Sequence, residues 1–551
     1  MEIHILSHIE AIFVILVFAF LFFLITKAKN WKNSKKFGPS PPELPGAWPI
    51  IGHLPQILND TLDGRSRTST DGEIPLAHTL AALADKHGPV FTVRQGMFTI
   101  AVVSSYEAIK ECFTIQDKNL ANRVATCSCK YLGYNHANLT FANYGPYWRM
   151  VRKLVVNNLL STKSLERLKH VRISEVESSI KELYTLFVAN KAKNVPTKVD
   201  IGHWFDDMML NITVKMIGGK RYSQVNNKAE EKEEAERFRK AFNETMYYLA
   251  LVGIEDAFPI PLLQWLDLQG NIKVMKRIAD EMDVILQRWL DDHTNKRKMN
   301  ESSGAGNNDD DDDEDLIDIM LTELDKDDFQ YGYSRETIIK ATMLTIVSDA
   351  THTTAVHLIW IIACLLNNKQ VLEKVQEEID TKVGRDRWVE DSDIKNLIYF
   401  QATIKEVLRL YPPSPMLVHE ALDDCQVLGY HIPKGTRLFV NVWKLQKDPK
   451  FWPEPEKFLP QRFLTTKAKV DVYGKDLEFI PFGSGRRSCP GITMAMQVTY
   501  LSIARLLQAF DFETLDDGPV DMTEGPGFTA VKKTPLEVVV KPRMLPLYYG
   551  V

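Results

Sequence analysis

The chain has 551 residues, a length that suits three or four domains of ~150 residues or one large catalytic domain. It is 45% hydrophobic and 25% charged, an ordinary globular composition that excludes a disordered or fibrous chain. The net charge of −5 gives a nucleic-acid role no support, and six sparse cysteines without a CxxC pair argue against a disulfide framework or a structural zinc site.

Ile9 to Ile25 reads IEAIFVILVFAFLFFLI, with Glu10 its only charge. Ile3, Ile5 and Leu6 extend this run toward the ~20 residues that span a bilayer. Lys27, Lys29, Lys32, Lys35 and Lys36 follow at once, and no Lys or Arg precedes the run. Positive charge stays cytoplasmic, so residues 1–26 are expected to be a single-pass anchor with the bulk of the chain in the cytosol. A cleaved signal peptide is the rival reading, but the basic leading region and the A-x-A site it needs are missing. On a cytosolic bulk, the Asn138 and Asn211 sequons carry no glycan.

Residues 27–57 form a basic, proline-rich linker. Pro39, Pro41, Pro42, Pro45, Pro49 and Pro55 fix φ and remove donors, which predicts a stiff non-helical arm. Residues 58–551 are expected to form the catalytic domain. Val90 to Val103 has short β-type runs. Beyond Ala142 the chain reads mostly helical, with apolar residues three and four apart over Glu175–Phe187, Glu230–Leu251 and Val274–His293. Cys127 and Cys129 read as two plain thiols in a loop. The segment 302–315 ends in seven consecutive acids, Asp309 to Asp315, which must be solvated and mark a surface loop.

Ser334 is a plausible N-cap, with Glu336 in the first turn, and no Gly or Pro then breaks the helix before Asn368. Near the middle of this helix, TIVSDATHTTAV (Thr345 to Val356) places Asp349, His352, Thr353 and Thr354 among apolar residues. Titratable groups in a buried helix cost energy unless something uses them. Asp349 and Thr353 are four apart and share a face. A later helix holds KEVLRLYPP, with Glu406 and Arg409 three apart on one face.

Phe479 to Gln497 reads FIPFGSGRRSCPGITMAMQ. Gly483, Gly485 and Gly491 let the backbone turn tightly and approach a flat object closely. Arg486, Arg487 and the dipole of the following helix are expected to favour the Cys489 thiolate. Such a cysteine suits a heme iron ligand or a nucleophile, and a nucleophile would need a histidine for which the sequence offers no clear candidate.

Phe482-x-x-Gly485-x-Arg487-x-Cys489-x-Gly491 resembles the heme-binding loop of the cytochrome P450 superfamily. Glu406-x-x-Arg409 resembles that family's buried ion pair. FLPQRF (Phe458 to Phe463) is similar to its Pro-x-Arg-Phe segment, with Gln461 where Glu is commoner, and WRMVRK (Trp148 to Lys153) to its Trp-x-x-x-Arg helix. The order of these motifs behind an anchor is the family's, across essentially the whole chain, and WKLQKDP and FPIPLLQWLDLQG have the flavour of plant microsomal enzymes of specialised metabolism.

The resemblance implies a mainly α fold with small β-sheets (α+β), the cytochrome P450 fold behind an N-terminal transmembrane helix in the endoplasmic reticulum membrane. It implies heme b as cofactor and Cys489 as the proximal thiolate. Trp148, Arg152 and Arg487 would meet the heme propionates, with His419 as a further candidate. Glu406, Arg409 and Arg462 would be a structural charge cluster. Thr353 matches the threonine that handles iron-bound oxygen, while His352 stands in the usual acid's place and Asp349 at a position usually small. Asp349 then has three readings: a relay with His352, a partner for a cationic substrate, or a group satisfied internally. Residues 126–144, 242–254, 343–354, 412–417 and 527–530 would line the pocket.

The activity implied is a monooxygenase using O2 and electrons from an NADPH-dependent flavoprotein reductase, which a basic face with Lys444, Lys447 and Lys450 could dock. The expected substrate is a small lipophilic plant metabolite, with a cationic benzylisoquinoline-type alkaloid as the preferred reading and a neutral terpenoid or phenolic as the alternative. A peroxide-rearranging relative, disfavoured by Thr353, and a non-catalytic heme-binding protein are the rivals.

Overall fold

The computed structural model describes residues 37–58, 74–222, 229–251, 253–302, 315–324 and 331–550. The expected membrane segment, the basic start of the linker and Asp309 to Glu314 lie outside the described residues. The strands are β1 (Val90–Gln95), β2 (Phe98–Val103), β3 (Lys198–Asp200), β4 (Met416–Glu420), β5 (Cys425–Val427), β6 (Tyr430–Ile432), β7 (Arg437–Asn441), β8 (Phe510–Thr514) and β9 (Glu537–Pro542). The chain divides into two compact units. One combines described residues up to 58 with His78–Val124 and Leu417–Asn441, and the other is built mainly from Ala125–Met416 and Val442 onward.

The first unit is organised by a four-stranded sheet in the order β1-β2-β7-β4. β1 and β2 form a hairpin with Val90 opposite Val103, and Gly96 at φ +58° makes its turn, a conformation glycine adopts without a Cβ clash. β2 then runs parallel to β7. The proline-rich segment is part of this unit in its described portion. Thr92 N–H donates to the Pro42 carbonyl at 2.8 Å and Leu44 N–H donates to Thr92 at 3.0 Å. A segment poor in donors can still accept at a sheet edge, which is why the prolines dock rather than stand off. Leu54–Leu58 is a short helix, so the end of the segment expected to be non-helical is helical.

The second unit is mostly helical, with a three-stranded sheet in the order β3-β9-β8. The periodic segments appear as the helices Lys169–Ala192, Ala229–Ala250 and Asn271–Ser302. Ser334 caps the central helix Arg335–Asn367, its hydroxyl accepting from Thr337 N–H at 3.1 Å. Among the described residues this is the helix long and apolar enough to cross a membrane, and 72% of its most apolar window is buried in the protein, as befits a core helix. The helix Ile201–Gly218 packs along it, capped by the Asp200 side chain and ended by Gly219 at φ +65°. Thr213 and Thr351 join the two helices through their hydroxyls at 2.8 Å. His293 binds the Trp289 carbonyl with Nδ1 and the Asp315 carboxylate with Nε2, both at 2.7 Å, and so ties the helix Asn271–Ser302 to the start of Leu316–Glu323.

Candidate functional site

The central helix is buried from Ile338 to Ser348 and again from Thr354 to Leu358. Between these stretches Asp349 is exposed, and Ala350, His352 and Thr353 are partly so. The otherwise buried helix is accessible at this level. These are the residues singled out in the sequence, and their polarity is explained by that accessibility. Thr351, at the same level, turns the other way and is buried against Thr213.

Cys489 lies near enough to this region to feel its charge. Its ionisation is opposed first by burial and then by the Asp349 carboxylate, and favoured by Gly491 N–H and the Arg152 guanidinium. The loop before it is closed by Cys489 N–H on the Phe482 carbonyl at 2.9 Å, with Gly483 and Gly485 at φ +74° and +68°. Such angles exclude most side chains and keep the loop thin. Gly491 N–H donates to the sulfur at 3.3 Å.

The expectation that Arg486 and Arg487 hold the thiolate is corrected. Burial pushes the thiol up to about 11, and Gly491 N–H and Arg152 only partly oppose it. The two arginines next in sequence are engaged elsewhere: Arg486 donates to the Tyr144 hydroxyl at 3.1 Å and Arg487 to the Ala142 carbonyl at 2.6 Å. A thiolate here needs a metal charge to displace its proton.

Trp148, Arg152 and Arg487 are brought together. Trp148 is buried, with the Arg487 guanidinium 4.4 Å and the Arg152 guanidinium 5.3 Å from its ring centre. Arg152 also donates to the Ser488 carbonyl at 2.8 Å, beside the cysteine. His419 lies in the first unit on β4, where its Nδ1 pairs with the Leu120 carbonyl at 2.9 Å. Heme b asks for one axial sulfur on a thin loop, cations for two carboxylates, and an open polar stretch on the far side. Cys489, the Arg152–Arg487 pair on Trp148, and the opening at Asp349–Thr353 fit those demands.

The polar residues of the opening are tied down. Thr353 Oγ1 donates to the Asp349 main-chain carbonyl at 2.5 Å. Burial lowers the His352 pKa, so its ring is neutral at pH 7. The Asp349 carboxylate accepts from the Thr140 hydroxyl at Oδ2 and from the Ser348 hydroxyl at Oδ1, the latter at 3.1 Å. Thr140 is a site residue that no sequence period could single out, because it sits in a loop 209 residues from its partner.

The charge cluster stands as expected and does no chemistry. Arg409 meets both Glu406 oxygens at 2.8 Å, Arg462 Nε meets Oε1 at 3.2 Å, and Leu459 N–H adds a bond at 2.9 Å. Lys447, expected on an exposed basic face, is mostly buried. Its ammonium lies 4.2 Å from the Trp443 ring centre and 3.2 Å from Glu456, and burial lowers its pKa.

A family model for cytochrome P450 matches residues 41–540. A nicotine N-demethylase from Nicotiana tomentosiformis is 48% identical over 99% of this chain and 100% of its own length. A xanthotoxin 5-hydroxylase from Arabidopsis thaliana is 46% identical over 96% of this chain and 97% of its own. A vinorine hydroxylase from Rauvolfia serpentina is 43% identical over 96% and 98%. A zebrafish cytochrome P450 solved with progesterone covers 85% of this chain with a TM-score of 0.70 at 25% identity. The chain therefore belongs to the cytochrome P450 family, as a heme b monooxygenase of plant specialised metabolism that acts with O2 on a small molecule.

Proposed function

We propose that the substrate is a small lipophilic amine that binds as a cation, and that Asp349 holds its charge in the space above Cys489. The observation that carries this is an exposed carboxylate in the middle of an otherwise buried helix, close enough to Cys489 to repel its thiolate. A carboxylate in such a place is costly unless it is hydrogen-bonded and, better, neutralised. Thr140 and Ser348 supply the hydrogen bonds. A ligand cation supplies the charge. Nicotine, the compound named for the Nicotiana relatives, is a basic amine, which agrees with the reading. The relatives name nicotine, xanthotoxin and vinorine, so the benzylisoquinoline skeleton has no support and the proposal is confined to the charge.

In this reading Cys489 would bind the heme iron through its sulfur, and Trp148, Arg152 and Arg487 would meet the propionates. Bound there, heme supplies the activation of O2 that inserts one oxygen atom into the substrate. Thr353, whose own proton goes to the Asp349 carbonyl, presents oxygen lone pairs to the space. His352, kept neutral by burial, adds no charge beside Asp349. The test is Asp349→Asn. Affinity for a cationic substrate should fall more than about tenfold, the effect of ~1.4 kcal/mol, with a neutral isostere little changed. If binding is unchanged while NADPH consumption uncouples from product, Asp349 is a proton relay and the cation reading fails.

The remaining parts of the proposal concern location. Residues 1–26 anchor the chain in the endoplasmic reticulum membrane, 27–57 link it, and 58–551 face the cytosol, where an NADPH-dependent flavoprotein reductase supplies electrons. The five lysines after the apolar run support this orientation. Protease added to sealed microsomes should digest most of the chain, and full protection would reverse the topology.

A further inference from the structure

The loop between the helices Cys127–Tyr131 and Pro146–Leu154 is built under strain. Tyr134, Asn135 and His136 sit consecutively in the left-handed region, at φ +51°, +52° and +67°. Non-glycine residues hold such angles only where their surroundings over-determine them. Here the surroundings are the central helix and its neighbours, which hold the loop at successive levels. The Tyr333 hydroxyl donates to the Asn135 carbonyl at 2.8 Å. Tyr134 and Lys340 share the Asp283 carboxylate, at 2.8 and 2.7 Å. Leu139 N–H donates to the Thr345 hydroxyl at 3.2 Å. The last bond is the Thr140 hydroxyl on Asp349 Oδ2. Asn138 accepts from Thr140 N–H at 2.9 Å and so fixes the threonine itself.

We propose that Thr140 is a positioning residue that aims the Asp349 carboxylate at the substrate cation, and thereby sets which carbon of the substrate is oxidised. Asp349 is held by one hydroxyl from its own helix and one from a separately anchored loop. Two donors on different elements restrict the carboxylate plane, and losing the loop donor removes one of these restraints. A cation bound to a fixed carboxylate presents one face of its skeleton to the reacting centre, and small misplacements there change the product. This inference rests on the cation reading of Asp349.

The experiment uses the full-length holoenzyme in lipid and two matched probes, benzyltrimethylammonium and its neutral carbon isostere neopentylbenzene, with binding followed by calorimetry. Wild type should prefer the cation. Thr140→Val should weaken the cation about five- to tenfold, the loss of one hydrogen bond to a charged group, and leave the isostere unchanged. Thr140→Ser should restore the cation affinity. Thr140→Val should add nothing further on an Asp349→Asn background, because the carboxylate it aims is gone. In turnover of any amine substrate, Thr140→Val should give a broader set of oxidation positions. If Thr140→Val weakens both probes equally, or serine does not rescue, the residue only braces the loop and this inference is overturned. If wild type shows no preference for the cation, or Asp349→Asn keeps it, the cation reading fails first.

Discussion

Glu406 and Asp349 are both carboxylates on helices of the second unit, and the protein treats them in opposite ways. Glu406 is 0% exposed and meets two arginines and a backbone N–H. The arginines are finished in turn: Arg409 donates to the Gln446 and Pro455 carbonyls, and Arg462 to those of Pro453 and Glu454. Asp349 is exposed and accepts from the hydroxyls of Thr140 and Ser348. Hydroxyls orient a charge without cancelling it. A carboxylate closed in by two guanidinium groups holds a fold together, whereas an exposed one is, in the reading proposed above, open to a ligand. His357 adds a third state. It is buried, and neither ring nitrogen has a hydrogen-bond partner among the described residues.

The strongest test of this division is Cys489→Ser. It should remove the thiolate-type carbon monoxide band of the reduced heme protein and all turnover, while the melting temperature of the apoprotein changes little. Serine can keep the Gly491 contact but cannot donate comparable electron density. An unchanged spectrum would mean that another residue carries the sulfur role.

Next in size is Glu406→Gln. It strands two buried guanidinium groups, so it should cost about 3–5 kcal/mol and show as a large fall in denaturant midpoint or as failure to accumulate. Asp349→Asn, measured in the same way, should change stability by less than about 1 kcal/mol, because the side chain is exposed and an amide oxygen can still accept from Thr140 and Ser348. If the two variants lose stability equally, the contrast between a neutralised and an oriented carboxylate is wrong.

A smaller effect than that of Glu406→Gln at pH 7 belongs to His357. Burial holds its pKa down to about 3, against an ordinary value of 6.5. The unfolded chain therefore binds a proton that the folded one refuses, and stability falls as pH drops through that window, by about 1.4 kcal/mol per pH unit well below 6.5. His357→Leu should flatten this slope and raise stability at pH 7 by about 1 kcal/mol, since it removes an unsatisfied polar group. An unchanged acid limb of the stability curve would show that the ring finds a partner.

Much of this was legible in the sequence because it is local. Ser334 as a cap, the unbroken run to Asn367, and the three-residue spacing of Glu406 and Arg409 all follow from helical geometry. The glycines around Cys489 announced a thin loop, and the polar cluster at 349–354 announced an opening. What failed or stayed hidden depended on distance in the chain. Arg486 and Arg487 are next to Cys489 in sequence, yet Tyr144 and Ala142 engage them, and burial decides the state of the thiol. Lys447 looked like a surface charge and lies over Trp443. The Thr140–Asp349 and Thr213–Thr351 contacts join residues 209 and 138 apart, and a single sequence carries no periodic signal for such pairs.

The His293–Asp315 clasp has a consequence for how this chain can vary. It closes a segment of 22 residues with a bond at its base, and it does so on the helix Asn271–Ser302 rather than on the central helix that bears Asp349. The entropic penalty for lengthening a closed loop rises only logarithmically, by about 0.6 kcal/mol per doubling. Closure here depends on His293 and Asp315 themselves, so a change that keeps both side chains keeps the clasp, and one that removes either opens it.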